Sequence, residues 1–595
     1  MSSPLDHVNL RLVQNVDDAA DFMRWLGERR SGKYLGVDTE TGGFHHWRDP
    51  LRLVQFGDKS QGWAIPWERW GGVAIEALNK YDAPTVLHNA PFDARFLIHH
   101  SGKDLKRWKW EWVNDTMTMA HLLNPLRPKG LKPLAAMYVD AKAVAAQRQL
   151  DEGMASNKWT WKTVPIDYPP YWIYGAMDPV LTCHLADRFE PQIAASYQNV
   201  YDLELNTLRI VTNMMLKGAR VDLDYSQQKM TQLMDWAGEA RQWLADEHGI
   251  GNATSNPQVI KYFQNAGIPI PDKRTKGGAQ SLDKEVLEEL VGTTDSVVAK
   301  YVLGIRRAEK TVGPYFKNFL ELAHHTDEGD ILHPTIWSMG TRTARMSISD
   351  PALQTLPRKD PTVRNGFIAR EGNGLITSDY DQVEARLTAH FAEDEAMCAA
   401  FGQGDFFYAL ATQIFGRPIA EILKEERQLT KNTTYGKLYG AGPPKMAATA
   451  SVPLEVMLPV VQAFDRAFPG IKRLQRRIND TAKYRQESEG TPYIITPEGR
   501  RLIADDDKEY TLTNYLIQSH AAEIFKRALI NMDAAGLGDY MILPVHDEIV
   551  LDVPLDLHEE VLPIIRDGMQ NLTDYRVPIT ATPEVITGAW GSKYE

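Results

Sequence analysis

The sequence predicts a multi-domain α/β protein, on three observations. The chain has 595 residues, enough for about three or four domains at roughly 150 residues each. Its first third alternates short apolar runs with helical stretches, which reads as alternating strands and helices. Its last third mixes strand–turn–strand segments with helices, and a block of long helical periodicity separates the two. Hydrophobic residues make up 43% and charged residues 24%, which excludes a disordered or collagenous chain.

The elements follow in order. Residues 34–40, 51–57, 62–66 and 85–90 are short apolar runs split by turn residues, hence strands. Residues 91–100 read as a helix with Pro91 in its first turn. Residues 127–133, RPKGLKP, form a basic loop broken by Pro and Gly. A boundary falls near residue 195. Residues 202–218 show apolar spacing near 3.6 and stop on Gly218. The segment 271–290 is a basic, Gly-rich tip followed by an acidic helix; a contact to phosphates and an ordinary solvated loop fit it equally. Residues 374–380 are a strand running into a helix, and residues 541–554 are a hairpin with the polar HDE at its bend. A helical region spans 392–490, and there are no internal repeats.

The 66 basic and 78 acidic residues leave a formal charge of −12. That excludes a small protein held on nucleic acid by a blanket of positive charge, but allows an enzyme with a locally basic cleft. The two cysteines, Cys183 and Cys398, give neither a disulfide framework nor zinc-ligand spacing. The N-terminus lacks a secretory pattern, and no run approaches the roughly 18 apolar residues a membrane helix needs. A cytoplasmic protein is expected.

Carboxylates stand out in the first third. Asp38 and Glu40 lie two apart on a strand, so both face one way. Asp93 follows Asn89, and Asp178 follows Tyr174, each at helical spacing. Converging carboxylates repel unless cations sit between them, and hard divalent ions suit oxygen ligands. Two such ions about 3.5–4 Å apart activate a water and stabilise a leaving oxygen in phosphodiester cleavage. Tyr174 is placed to orient that water. The ordered set DTE, NAPFD and YGAMD, within residues 30–190, resembles the DEDD family of 3′–5′ exonucleases, in the branch with Tyr four residues before the last Asp. The resemblance implies an RNase H-like fold in which Asp38, Glu40, Asp93 and Asp178 hold two metals.

A second set spans the remainder. Asp379 ends a strand and Asp547 sits at a hairpin bend. Between them, Arg427, Lys431, Tyr435 and Tyr439 recur every four residues on one helix, drifting only about 40° per step. That face offers a fork and a point charge for a triphosphate, then rings for a base and sugar. SDYDQVEARLTAH, RQLTKNTTYGKLYG and VHDE, in that order, resemble motifs A, B and C of family A DNA polymerases of the bacterial polymerase I large-fragment type. TARMSISDPALQTLP, TPEGRR and NYLIQSHAAEIFKRA resemble further segments of that family.

The resemblance implies a right-hand polymerase behind the exonuclease: exonuclease 1–195, thumb 196–330, palm 331–391 and 491–595, fingers 392–490. It implies that Asp379 and Asp547 bind catalytic metals, with the Tyr380 carbonyl as a further ligand and Glu548 in support. Arg427 and Lys431 would hold the triphosphate, with Tyr435, Tyr439, Gln382 and His546 completing the nucleotide site. Glu384 takes the family's steric-gate place against a ribose 2′-hydroxyl. Tyr435 stands where many bacterial relatives carry Phe, and its hydroxyl suits a sugar lacking its own 3′-hydroxyl. Arg345, Gln354, Asn514 and Gln518 would follow the primer–template minor groove. The implied cofactor is Mg²⁺, two per active site, with Mn²⁺ as an alternative. The implied partners are primer–template DNA, deoxynucleoside triphosphates and replisome proteins, with no membrane, for a monomer.

The sequence departs from the family at Asp381, where Ser is common, at Ala344 for Gly, at Ala352 for Asn and at Tyr510 for Arg. The chain begins at the exonuclease, so no 5′-nuclease domain is expected; that compactness resembles phage replicative polymerases. Two competing readings are a nuclease whose C-terminal part only binds nucleic acid and a single-subunit RNA polymerase. Retention of Asp379, Asp547, Arg427 and Lys431 opposes the first; Glu384 and the exonuclease oppose the second. A non-catalytic replication scaffold has no positive support.

Overall fold

The computed structural model describes every residue except 1–2, 29–32, 276, 358–359 and 571–574. Lys276 of the basic tip therefore lies outside the described residues.

The first domain is a six-stranded mixed sheet of β1 (Asn9–Leu12), β2 (Leu35–Thr41), β3 (Leu51–Gly57), β4 (Gln61–Pro66), β5 (Thr85–Leu87) and β6 (Val113–Asp115), in the order β1-β4-β3-β2-β5-β6. β2, β3 and β4 run antiparallel; β5 joins β2, and β6 joins β5, in parallel. Val37, Phe56, Trp63, Phe22 and Phe96 fill the core on one side. Helices α1 (Ala90–Ser101), α2 (Thr116–Leu123) and α3 (Leu131–Tyr138) follow the last strands. The long helix α4 (Pro169–Ser196) lies across β2, β3 and β4. Glycines make that approach possible. A Cβ at Gly36 would lie 2.8 Å from Cβ of Pro179, and one at Gly175 would lie 2.6 Å from Nε2 of Gln55 and 3.2 Å from Cγ of Glu40. The helix that carries Tyr174 and Asp178 is thereby seated on the strand that carries Asp38 and Glu40.

Helix α5 (Gln198–Lys217) leads into the second part and ends on Gly218 at φ 66°. Beyond it, helices Leu223–His248 and Val297–Thr311 pack around Leu244, Phe263, Leu287 and Val302. The stretch read as long helices also holds a small antiparallel sheet of Ala219–Arg220, His324–Thr326 and Gly329–Leu332. Strands of two to four residues are too short to print a period on the sequence.

The central sheet follows, formed by β7 (Asn373–Tyr380), β8 (Met541–Val545), β9 (Glu548–Pro554) and β10 (Ala581–Ile586), in the order β8-β9-β7-β10. Neighbours run antiparallel throughout. α6 (Val383–Ala392) leaves β7, and α7 (Phe406–Phe415) and α8 (Lys424–Leu438) belong to the helical block after it. α9 (Leu512–Met532) packs against α5 and the sheet around Ile210, Met214, Ile376, Phe525 and Val550. No single helix among the described residues is long and apolar enough to cross a membrane.

A fully buried ionic knot ties α5 to α9. Lys526 Nζ donates to Glu204 Oε1 at 2.6 Å, Arg500 bonds the same carboxylate, and Arg500 Nε donates to Glu523 Oε1 at 2.8 Å. All four side chains are at most 1% exposed. A buried pair is stable only while complete, because a charge left without its partner keeps its whole desolvation cost. Glu204→Ala removes the carboxylate that Lys526 and Arg500 share. It is expected to cost ~3–5 kcal/mol, read as a lower urea midpoint; an unchanged midpoint would contradict this account.

Candidate active sites

The first site is built on β2. Strand alternation puts Asp38 and Glu40 on one face, and α4 delivers Asp178 to it. Carboxylate oxygens of these three residues lie within 4.8 Å of one another. Burial pushes Asp38 well above the usual carboxylate range, and the neighbouring Glu40 charge adds to the push. Burial lifts Glu40 to about 8, opposed by the Lys132 ammonium and aided by Asp93. Asp93 stands next to them: burial, and then the Asp38 charge, pushes it well above the usual carboxylate range. Its Oδ1 accepts the Thr39 hydroxyl at 2.7 Å, and Thr39 faces away from Asp38 and Glu40 by the alternation of the strand.

The sequence did not single out Lys132. It enters the site from the start of α3, is 6% exposed, and bonds Asp178. Its Nζ stands 4.1 Å from the ring centroid of Tyr174, so the tyrosine meets an ammonium on one face. Burial lowers Lys132 to about 8, while Asp38 and Glu40 work against that shift. In sequence it is one of three cations in a Pro/Gly-broken loop, a pattern that surface loops share.

The second site lies at one end of the central sheet. The β7–β9 register sets Asp379 opposite Glu548, and Asp547 occupies the turn just before Glu548. His546, also in that turn, is left-handed at φ 59°. Gln354, expected to follow DNA, is spent on the turn: its Nε2 donates to the Pro544 carbonyl at 3.0 Å, and the His546 amide donates to its Oε1 at 2.8 Å. The Tyr380 hydroxyl points inward and donates to the Met569 carbonyl at 2.9 Å, so that side chain serves the core. The C-terminal turn contributes residues that carry no sequence motif. Lys593 Nζ donates to Glu548 Oε1 at 2.9 Å and to Thr377 Oγ1 at 3.2 Å.

The third group lies on α8. Arg427 forks onto Asp405 at 3.0 and 2.6 Å, at the N-cap of α7. Lys431 stands 5.7 Å from the Phe407 ring centroid. Asp405, unnoticed in sequence, has only the helix-cap spacing to mark it. The rings of Tyr435 and Tyr439 stack at 6.2 Å, and Tyr439 caps the helix one residue past its last turn. Glu384, in the first turn of α6, accepts the Tyr439 hydroxyl at 3.1 Å and is bonded by Arg345. Gln382, the left-handed N-cap of α6, is exposed beside it. Arg345, expected at the minor groove, is thus tied to Glu384. Asn514 and Gln518 stand half-buried, one turn apart, on α9. Ala344 holds a left-handed φ of 56°, a conformation that costs any residue with a Cβ.

Comparison with known proteins agrees with this layout. A model of DNA polymerase family A matches residues 223–592, and a model of 3′–5′ exonuclease matches residues 13–194. A DNA polymerase of Mycobacterium phage D29 is 29% identical over 620 residues, covering 99% of this chain and 98% of that protein. One of Mycobacterium phage L5 is 28% identical over 613 residues, with the same coverage of 99% and 98%. Among solved structures, the POL domain of Pol1 from M. smegmatis, in complex with DNA primer-template and dNTP, superimposes with a TM-score of 0.79 at 22% identity. It covers 99% of this chain and 100% of that one, a likeness of fold.

Lys132→Met keeps the side-chain stem and removes the cation beside Asp178. Without divalent ions the first domain is expected to lose about 1–3 kcal/mol, seen as a lower thermal midpoint in EDTA. Mg²⁺ should raise that midpoint more in the variant than in the wild type. Equal midpoints for both proteins in both buffers would contradict the electrostatic account.

Proposed function

The chain belongs to DNA polymerase family A and carries a 3′–5′ exonuclease domain ahead of the polymerase, and from that premise we propose how its residues divide the work. The exonuclease occupies 1–195, the thumb 196–330, the palm 331–391 and 491–595, and the fingers 392–490. The observation that carries the reading is the strand register that sets Asp379 opposite Glu548, beside Asp547, in a chain that separately gathers Asp38, Glu40 and Asp178.

Both carboxylate sets are all-oxygen donors, which fit a hard divalent cation. Mg²⁺, two ions per site, is the proposed occupant, with Mn²⁺ able to replace it. Asp379, Asp547 and the Tyr380 carbonyl hold it in the palm; Asp38, Glu40, Asp93 and Asp178 hold it in the exonuclease. Bound there, it lowers the pKa of the attacking oxygen and neutralises charge on the leaving one.

The chain's own groups do the rest. In extension, the primer 3′-hydroxyl attacks the α-phosphate of a deoxynucleoside triphosphate and pyrophosphate departs. Lys431 and Arg427 hold the triphosphate, and Asp405 carries the Arg427 guanidinium until phosphate competes for it. Glu384, fixed by Arg345 and Tyr439, blocks the place of a ribose 2′-hydroxyl and so selects deoxynucleotides. Lys593 holds Glu548, and Gln354 holds the turn that bears Asp547 and His546. Asn514 and Gln518 line the minor-groove side of the duplex. In excision, a mispaired 3′ end moves to Asp38, Glu40 and Asp178, where a water oriented by Tyr174 attacks the phosphorus of the last phosphodiester; the 3′-oxygen of the penultimate nucleotide leaves, and the terminal nucleotide departs as its 5′-monophosphate. Phage genome replication is the proposed setting, in a host cytoplasm. It is supported by phage DNA polymerases that match this chain over nearly their whole length.

Asp547→Ala is expected to abolish primer extension and leave excision, and Asp38→Ala to do the reverse, each by about three orders of magnitude or more. Loss of both activities in either folded variant would overturn the two-site assignment. Chain termination gives a second check. Tyr435 should let dideoxynucleotides compete well with deoxynucleotides, and Tyr435→Phe should lower that competition by roughly tenfold or more; equal discrimination in both proteins would count against the role given to its hydroxyl.

A further inference from the structure

Residues 338–346 join the short strands Thr335–Trp337 and Ser347–Ser349 and carry Arg345, which bonds Glu384. The loop closes on itself. The Gly340 amide donates to the Arg345 carbonyl at 2.9 Å, and the Ala344 amide to the Thr341 carbonyl at 3.0 Å. The Arg345 amide donates to Thr341 Oγ1 at 3.1 Å.

Three of its carbonyls are taken by side chains from elsewhere in the chain. Lys129 Nζ donates to the Met339 carbonyl at 3.1 Å, and His121 Nε2 to the Thr341 carbonyl at 3.1 Å. Lys526 Nζ, of the buried ionic knot, donates to the Ala344 carbonyl at 2.9 Å. The first two donors lie in the exonuclease domain and the third in the polymerase. On the exonuclease side the clasp is itself anchored: His88 Nε2 donates to the Lys129 carbonyl at 2.8 Å, and His121 is 3% exposed. Three residues beyond Lys129, Lys132 reaches Asp178.

A loop without its own ladder keeps one shape only while its carbonyls are satisfied. Here two domains share that task, and the product is the direction of Arg345. We propose that Lys129 and His121 are positioning residues by which the exonuclease domain sets Arg345 against Glu384, so that nucleotide insertion depends on the clasp between the two domains. The proposal rests on the polymerase and exonuclease reading above. Removing the clasp slackens the loop, loosens the Arg345–Glu384–Tyr439 group and weakens capture of the incoming nucleotide. The excision groups Asp38, Glu40 and Asp178 keep their own supports.

The test uses the full chain with Lys129→Met, Lys129→Arg and, separately, His121→Leu. Single-nucleotide insertion is measured against deoxynucleotide concentration on a matched primer, beside excision of a single-stranded oligonucleotide and the thermal midpoint. Lys129→Met and His121→Leu should raise the half-saturating deoxynucleotide concentration roughly threefold to tenfold. Excision should stay within about twofold of wild type, and Lys129→Arg, which can still donate, should recover most of the loss. The proposal is overturned if half-saturation is unchanged in both variants at a retained midpoint. It is equally overturned if excision falls by the same factor as insertion. Wild-type extension in the same assay separates the two levels: its absence would sink the polymerase reading itself, whatever the variants do.

Discussion

The structure is organised around the cost of gathering like charge. Three carboxylates brought within 4.8 Å of one another would, if all ionised, repel by about 4 kcal/mol per pair at an effective dielectric near 20. Burial together with neighbouring carboxylate charge drives Asp38 and Glu40 toward the neutral form. The fold accepts that cost because β2 and α4 are fixed by their packing, with Gly36 and Gly175 allowing the helix down onto the strand. The ammonium of Lys132 offsets part of it. Any ion that binds there competes with a cation the chain already supplies, which ties metal affinity to the position of one lysine.

The central sheet manages charge differently. Asp379 stands near the end of β7 and Asp547 in the turn between β8 and β9, while Glu548 is held by Lys593 from the C-terminal turn. The knot of Glu204, Arg500, Lys526 and Glu523 joins α5, the helix that follows the exonuclease domain, to α9, which packs against the central sheet. Lys526 also reaches the loop that aims Arg345. The ion pairs that hold the helices together and the bonds that fix the Arg345 loop therefore share Lys526.

Much of this was legible before any coordinates. The strand 374–380, the hairpin 541–554 and the helix of Arg427 and Lys431 follow from periodicity and turn residues, and the carboxylates follow from their order along the chain. What stayed hidden is long-range and non-periodic. Lys132 lies 46 residues from Asp178, Asp405 22 from Arg427 and Lys593 45 from Glu548. A single cation in a loop or a chain end leaves no pattern until folding brings it to its partner. Gln354 and Arg345 were expected along the minor groove; their bonds to the Asp547 turn and to Glu384 left no sequence signal, because one amide or guanidinium suits both tasks equally well. The left-handed Ala344 shows the reverse case: the sequence departure is visible, and its backbone cost appears only in the fold.

The central claim is that folding gathers these acids into two separate divalent-cation sites. Anomalous scattering from Mn²⁺, in crystals of the full chain grown with primer–template DNA, tests it most directly. The account predicts peaks against Asp38, Glu40 and Asp178 and, apart from them, against Asp379 and Asp547. Mn²⁺ bound elsewhere, with either carboxylate set bare, would contradict it.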